Sequence, residues 1–584
     1  MDTELSSLNS APNAILNSDF ALKSVLVLVL TLLTLVAFAN SLRGDFVYDD
    51  QRTVAANPLL GHWDLHTLKA VFTEDYWAAY EMGRSSHHID SLYYRPIYHI
   101  FTMAVYELAG KSAPAWHLIS IFVHLAAVLL VFFLLERSIS ALPLSTKERQ
   151  LAAAFGAAIF AIHPVQSEAT NWISASANSL LGIFVFGAFY CYLRHRESGH
   201  TASLVAALIL YAFAIFTKEN AFALPFIIAA YELVVMNRNR ALIERLRTAG
   251  IRALPFACIL GGYLAIRQLI ISGMVMAGQN QNFPDDALLT FVDNLRTLPA
   301  LLTAYMSLVL FPFNLSMMYD FGYVHNISLL SFGVPLGLVL LTGGILLRLC
   351  KDSIEVRIAT IWIIFPLLPH LNTRAFLSEE IIHDRYLYKS MFGISLLIAL
   401  LVTKVMKSPR LRMPTRWRLC FPAVVLVILL VGTVLQNREW RSEEVLWRWC
   451  AGHAPNSRIV HISLGRIAED KHQPAEALRE YEKALEINPD TIDALNNAGF
   501  VYARSGMWPK ATSDFERIVS LTPHKAVAHF NLSFAYAVQK RYADAEREQQ
   551  AAIELDPMGD RSDEWRSRLA ELHRLSFSTG PTRD

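Results

Sequence analysis

The sequence predicts an all-α protein in two parts, a polytopic bundle of membrane helices followed by a solenoid of short paired helices, and two observations carry the prediction. Of 584 residues 53% are hydrophobic and only 18% charged, more apolar surface than a soluble chain of this length buries. After Gln436 the composition turns polar, and Pro455, Pro489, Pro523 and Pro557 recur every 34 residues, the period of the tetratricopeptide repeat. A formal charge of +1 with basic residues scattered in short loops excludes a nucleic-acid binder, which needs a concentrated basic surface. The five cysteines show neither CxxC nor Cys/His ligand spacing, so no disulfide framework or zinc site is implied.

A polar leader, residues 1–20, precedes the first apolar run, whose length fits an uncleaved anchor although it ends in AFAN. Runs long enough to cross a bilayer lie near 21–42, 117–135, 151–168, 176–193, 202–217, 219–236, 251–272, 332–349, 355–371, 386–404 and 418–436, about eleven spans. Every second connection is basic: ERSISALPLSTKER, RHRES, NRNRALIERLR, RLCKDSIEVR and KVMKSPRLRMPTRWR. The positive-inside rule makes these cytoplasmic and puts the other loops, with everything after the last span, outside. Residues 292–311 are read as re-entrant or interfacial, because a further crossing would put basic loops on both sides. The membrane domain is thus 21–436. Its large non-cytoplasmic first loop, 43–116, carries the aromatic stretches DYWAAYEMG and YYRPIYHIFTMAVYELAG, which suit interfacial helices.

A linker, 437–457, leads to the repeat domain, 458–575, expected as three repeats plus a capping helix, with a polar tail at 576–584. Leu464, Gly465, Ala477, Tyr481 and Ala484, then Ala498, Gly499, Tyr502, Ala511 and Phe515, then Leu532, Tyr536, Ala545 and Ala552 occupy the interior positions. Small residues let paired helices approach and aromatics fill the space between repeats.

Candidate chemistry collects at the outer ends of the spans. FVYDD places Asp49 and Asp50 just after the first span, either a solvated turn or part of a site. HPVQSEA ends an apolar helix at His163 and Pro164, with Glu168 about one turn on; a structural histidine at a kink is the plain alternative. FTKEN sets Lys218 and Glu219 between two apolar runs, where they neutralise each other or leave Lys218 as a point charge for a phosphate. SEEIIHDRYLYKS supplies Glu379, Glu380, His383, Asp384, Arg385 and Lys389. Its guanidinium has the fork geometry for a lipid phosphate, or snorkels to headgroups. Arg95 in YYRPIYHI has the same two readings. Ionisable groups at membrane depth mark sites because leaving them unpaired is costly.

The ordered set FVYDD, YRP, HPVQSEA, TKEN and HDRYLY, followed by tetratricopeptide repeats, resembles the transmembrane O-mannosyltransferases with such repeats and their bacterial relatives, within the GT-C class of polyprenyl-phosphate-dependent glycosyltransferases. The resemblance implies a GT-C-type bundle and transfer of mannose or another hexose from a polyprenyl- or dolichyl-phosphate donor to a hydroxyl of a protein or glycan. It gives Asp49 and Asp50 the catalytic role, with Asp49 as base, and assigns the donor phosphate to Arg385, Lys218 and Arg95. His163, Glu168, Glu219, His383 and Asp384 are supporting residues. The resemblance names no certain cofactor beyond the lipid-linked donor and, since metal dependence varies within the class, leaves open a divalent cation such as Mg2+ or Mn2+ on Asp49 and Asp50. SASANSLL stands where the family commonly has GRADLL, with Asn178 in place of an Asp. The expected setting is a bacterial inner membrane, with the repeats on the periplasmic side holding the acceptor. Two other readings compete: a transporter or flippase for lipid-linked sugars, which would show repeated halves, and a membrane-anchored assembly protein, which needs only one span.

Overall fold

The computed structural model describes residues 2–74, 76, 93–236, 239–275, 290–373, 378–408, 414–557 and 561–578. Among them all regular structure is helical, and the first aromatic stretch, DYWAAYEMG, falls almost wholly outside them. Nine helices among the described residues are long and apolar enough to cross a membrane, from Asp19–Arg43 to Cys420–Trp440; the chain is a multi-pass membrane protein. The other two expected spans are 17-residue helices, Thr146–Ile162 and Thr201–Thr217. Phe291–Leu310, read from the sequence as re-entrant or interfacial, is an unbroken 20-residue helix outside the set of nine. Leu329–Asp352 keeps only 6% of its apolar window inside the protein, as a lipid-facing helix does.

Packing in the bundle relies on small residues where helices meet. A Cβ at Gly393 would lie 2.4 Å from the Ala359 carbonyl oxygen, so Ile354–Ile364 and Ser390–Lys407 touch backbone to backbone. The basic connections gather at one end, where Arg137 pairs with Glu197, Lys407 with Glu148 at 3.1 Å, and Lys23 with Glu136 at 2.7 Å. Thr146–Ile162 runs from that end to the opposite one, where the predicted site residues lie.

The third expected span differs from its sequence reading in a way that builds the site. The helix stops at Ile162 rather than continuing to 168, because Pro164 cannot supply an amide. The chain continues as two short turns, Pro164–Gln166 and Ile173–Ser176, around a one-turn helix, Ser167–Asn171. This interrupted backbone is buried, so its polar groups need partners from elsewhere. Thr433 donates to the Ile162 carbonyl at 2.6 Å, Ser120 to Thr170 at 2.6 Å and Ser179 to Ala169 at 3.1 Å. An amide chain, Ser41 to Asn171 at 2.5 Å and Asn171 to Asn437 at 2.7 Å, ties the break to the ends of the first and last spans.

Residues 437–457 are not extended: Glu443–His453 is a helix whose Trp447 and Cys450 are fully buried against Val47, Trp172, Met317 and Met318. Beyond it stand three helix pairs, Arg458–Asp470 with Pro474–Ile487, Ile492–Arg504 with Trp508–Leu521, and Ala526–Val538 with Tyr542–Leu555, then a final helix, Ser562–Ser578. Glu379 reaches from the membrane domain to the first pair, pairing with Arg458 at 2.7 Å and accepting from Ser457 at 2.5 Å. Gly465 is the tightest close approach in the solenoid, a Cβ there falling 2.3 Å from the Tyr481 ring, whereas Gly344 in the lipid-facing helix has open space. Gly465→Ala should therefore destabilise the first repeat by about 1–3 kcal/mol through overpacking, and Gly344→Ala should not; thermal unfolding of the two detergent-solubilised variants checks the contrast.

Candidate active site

The first span ends in a short turn, Ala39–Arg43, and the chain then bends at Tyr48, which has φ 51°. Such a left-handed conformation is uncommon for a non-glycine residue and is held only by its surroundings. Here the Tyr48 ring packs edge-on to Trp447 at 5.3 Å and tilted on Trp172 at 5.6 Å. The bend gives the adjacent carboxylates different surroundings. Asp50 is fully buried, its Oδ1 accepting the Ser174 amide at 2.7 Å and hydroxyl at 2.6 Å, its Oδ2 the Val47 amide at 3.3 Å. Asp49 is half-buried, and among the described residues no hydrogen bond reaches its carboxylate.

Burial raises Asp49 from 3.8 to about 7, with the Asp50 and Glu380 charges adding and Arg385 and Arg52 opposing. Asp50 is also raised to about 7 by burial, against the pull of its Ser174 and Val47 hydrogen bonds. Adjacent carboxylates titrate as a pair. The one without hydrogen-bond partners is the one free to exchange a proton with a ligand.

Next to the pair lies Arg385. Its guanidinium and Glu168 form an ion pair, and its own amide donates to Glu168 Oε2 at 2.8 Å. The guanidinium also lies over Trp172 at 4.9 Å and Tyr386 at 5.2 Å. His383 Nδ1 is 3.4 Å from Glu168, and burial lowers its affinity for a proton. Asp384 turns the other way and accepts the Tyr319 hydroxyl at 2.5 Å; burial and the Glu168 charge hold its carboxyl well above the usual range.

Lys218 and Glu219 do not pair with each other, contrary to the simplest reading of FTKEN. Glu219 receives a two-pronged contact from Arg95, at 2.6 and 3.0 Å, while the buried Lys218 ammonium donates to Asn178 Oδ1 at 2.9 Å. Arg95 is further held over the Tyr93 ring at 4.2 Å. His163 is committed to structure: its Nδ1 accepts the Val165 amide at 3.3 Å and its Nε2 meets the Val309 carbonyl at 3.1 Å, so it caps the break.

A family model described as TPR repeat matches residues 471–506. Over 498 residues the chain is 25% identical to a protein named protein O-mannosyl-transferase TMTC4 from Homo sapiens, covering 78% of this chain and 65% of that one. It is 24% identical over 468 residues to protein O-mannosyl-transferase F38B6.6 from Caenorhabditis elegans, covering 79% and 63%. The chain resembles the protein O-mannosyl-transferases. It spans somewhat less than two thirds of the length of these relatives. Among solved structures, MamA 41-end from Desulfovibrio magneticus RS-1 is 17% identical and covers 28% of this chain and 96% of that chain, with a TM-score of 0.20 too low to bear on the fold.

Asp49 and Asp50 are the two ligands the sequence offers to a divalent cation. Both Asp50 oxygens already accept hydrogen bonds, and among the described residues no group of three or more His, Cys, Asp or Glu is arranged to hold a metal. A cation bridged by Asp49 and Asp50 does not fit these residues. The motifs did not single out Ser174, which orients Asp50, or Tyr48, Trp172 and Tyr386, whose rings pack beside Asp49 and Arg385. Their only local signal is the density of small polar and aromatic residues in NWISASAN and DRYLY.

Because Glu168 is the buried counter-charge of Arg385, Glu168→Gln should cost about 3–5 kcal/mol by leaving a guanidinium uncompensated. Asn178→Ala, which removes a neutral acceptor, should cost less. The thermal unfolding midpoints of the two variants give the order.

Proposed function

We propose that the chain is an integral-membrane glycosyltransferase that moves mannose or another hexose from a polyprenyl- or dolichyl-phosphate donor to a hydroxyl of a protein or glycan acceptor. The observation that carries the proposal is the division of labour at FVYDD: Asp50 is consumed by Ser174 and Val47, whereas Asp49 keeps a free carboxylate beside Arg385. The likeness to protein O-mannosyl-transferases supplies the reaction class.

In this mechanism Asp49 takes the acceptor proton as the hydroxyl oxygen attacks the anomeric carbon. The leaving phosphate departs from the opposite face of the sugar, as in the base half of an inverting glycosidase. Arg385 and Lys218 stabilise the charge it gains, acting as preorganised cations in a site that excludes water. Arg95, fully engaged by Glu219, shapes the wall between them. The repeats hold the acceptor, and Glu379 with Arg458 keeps them against the membrane domain. By the basic-loop rule the cleft and repeats face away from the cytoplasm, and we place the protein in a bacterial inner membrane.

The test is incubation of the purified protein with radiolabelled polyprenyl-phosphate mannose, glucose and other sugars, and a protein extract as acceptor. Wild type should consume one donor, and Asp49→Asn should lose at least about a hundredfold in rate, as expected for loss of a general base, while still binding it. A transporter would keep moving lipid with Asn at 49, and failure to consume any donor would sink the enzyme reading.

A base works only when ionised, so kcat/KM should fall as pH drops through about 7, the value to which burial raises Asp49. A pH–rate profile showing a limb near 4 instead would assign the base to an ordinary exposed carboxylate.

A further inference from the structure

Four cations lie around the site, and two of them have a carboxylate in direct contact. Arg385 has Glu168 and Arg95 has Glu219. Lys218, 8% exposed, donates to the neutral Asn178, and the Lys389 side chain, in a residue 2% exposed, makes no ion pair or hydrogen bond among the described residues. Asn220, two residues after Lys218, meets His370 at 3.2 Å, and His370 stacks at 3.7 Å on Tyr386, three residues before Lys389, so both lysines border one cluster; Glu219, already engaged by Arg95, is the carboxylate whose charge reaches both. A buried ammonium without a counter-ion is costly. Lys389 also immediately precedes the 18-residue helix Ser390–Lys407, whose N-terminal amides add positive potential at the same place. Two buried lysines and a helix end therefore share one carboxylate, Glu219, which Arg95 already engages in a two-pronged contact.

Resting on the glycosyl-transfer reading, we infer that Lys389 is a further leaving-group residue: with Lys218 it forms a doubly cationic seat selective for a phosphate monoester dianion over a phosphodiester monoanion. The charge change of the reaction gives this selectivity its use. The acceptor oxygen forms a bond to the anomeric carbon and its proton passes to the Asp49 carboxylate. The bond from that carbon to the phosphate oxygen breaks, and its electron pair stays on the oxygen. A phosphodiester with one negative charge thus becomes a monoester with two. A seat of two lysines that share one already engaged carboxylate binds the product charge more strongly than the donor charge, so it lowers the barrier to departure rather than tightening donor binding. The same preference makes the released lipid phosphate a product inhibitor.

The full-length Asp49→Asn protein in detergent allows binding to be read without turnover, using a short prenyl monophosphate, its methyl phosphodiester and inorganic phosphate as probes. The monophosphate should bind about tenfold more tightly than the diester, in line with the greater strength of charge-assisted contacts. Adding Lys389→Gln should abolish that preference, and adding Lys389→Arg, which keeps the charge, should retain it. With Asp49 intact, Lys389→Gln should lower kcat about a hundredfold, the scale of losing one preorganised donor, and leave the donor KM unchanged. Equal binding of monoester and diester, or a preference that survives Lys389→Gln in folded protein, overturns the inference while sugar transfer by the wild type still upholds the transferase reading. Inorganic phosphate displacing the prenyl monophosphate at equal concentration also overturns it, because the seat would then serve a free anion.

Discussion

The site depends on one ion pair taken out of water, Glu168 with Arg385. Neither charge is tolerable alone at that depth: an unpaired buried carboxylate or guanidinium costs several kcal/mol, and together they are held only if geometry and extra hydrogen bonds repay desolvation. The protein meets that condition by giving Glu168 both the guanidinium and the backbone amide of Arg385. Because the partners are 217 positions apart in the chain, satisfying them brings the HPVQSEA break and the HDRYLY turn to one place. The guanidinium also lies over the rings of Trp172 and Tyr386, which holds it in place near Asp49.

The break itself follows from proline chemistry, but its survival inside the bundle is a matter of hydrogen-bond accounting. Helix interruption in an apolar setting is permitted only where other side chains take over the orphaned backbone groups. Thr433, Ser120, Ser179 and the Ser41–Asn171–Asn437 chain come from four different segments to do so. The same chain of amides anchors the end of the first span, so the left-handed bend at Tyr48 has a rigid base. Strain at Tyr48 and hydrogen bonds at Asp50 act together: one turns the backbone and the other immobilises one carboxylate, leaving its neighbour exposed to a ligand.

The sequence made the helices legible because hydropathy and the 34-residue period are local or strictly repetitive signals. The three repeats and their final helix follow the prolines and the Gly465–Tyr481 type of contact. What it left open was pairing. Lys218 and Glu219 are neighbours in sequence and read either as a neutral pair or as leaving Lys218 a point charge for a phosphate; Glu219 answers to Arg95 and Lys218 to Asn178. His163 had the appearance of a site residue, and its ring is spent on capping a turn. In each case the decisive partner lies on another helix, which no window along the chain can see.

By itself the sequence determined that this is an all-helical, multi-pass membrane protein ending in tetratricopeptide repeats, because apolar length and repeat spacing are properties a chain carries before it folds. It also determined which residue types are available for chemistry at the span ends. Only the tertiary structure decided which of two adjacent aspartates is free of hydrogen bonds, and which cations touch a carboxylate and which do not. Those outcomes depend on burial and on hydrogen bonds between distant segments, and a carboxylate or ammonium acquires its chemical character from those neighbours.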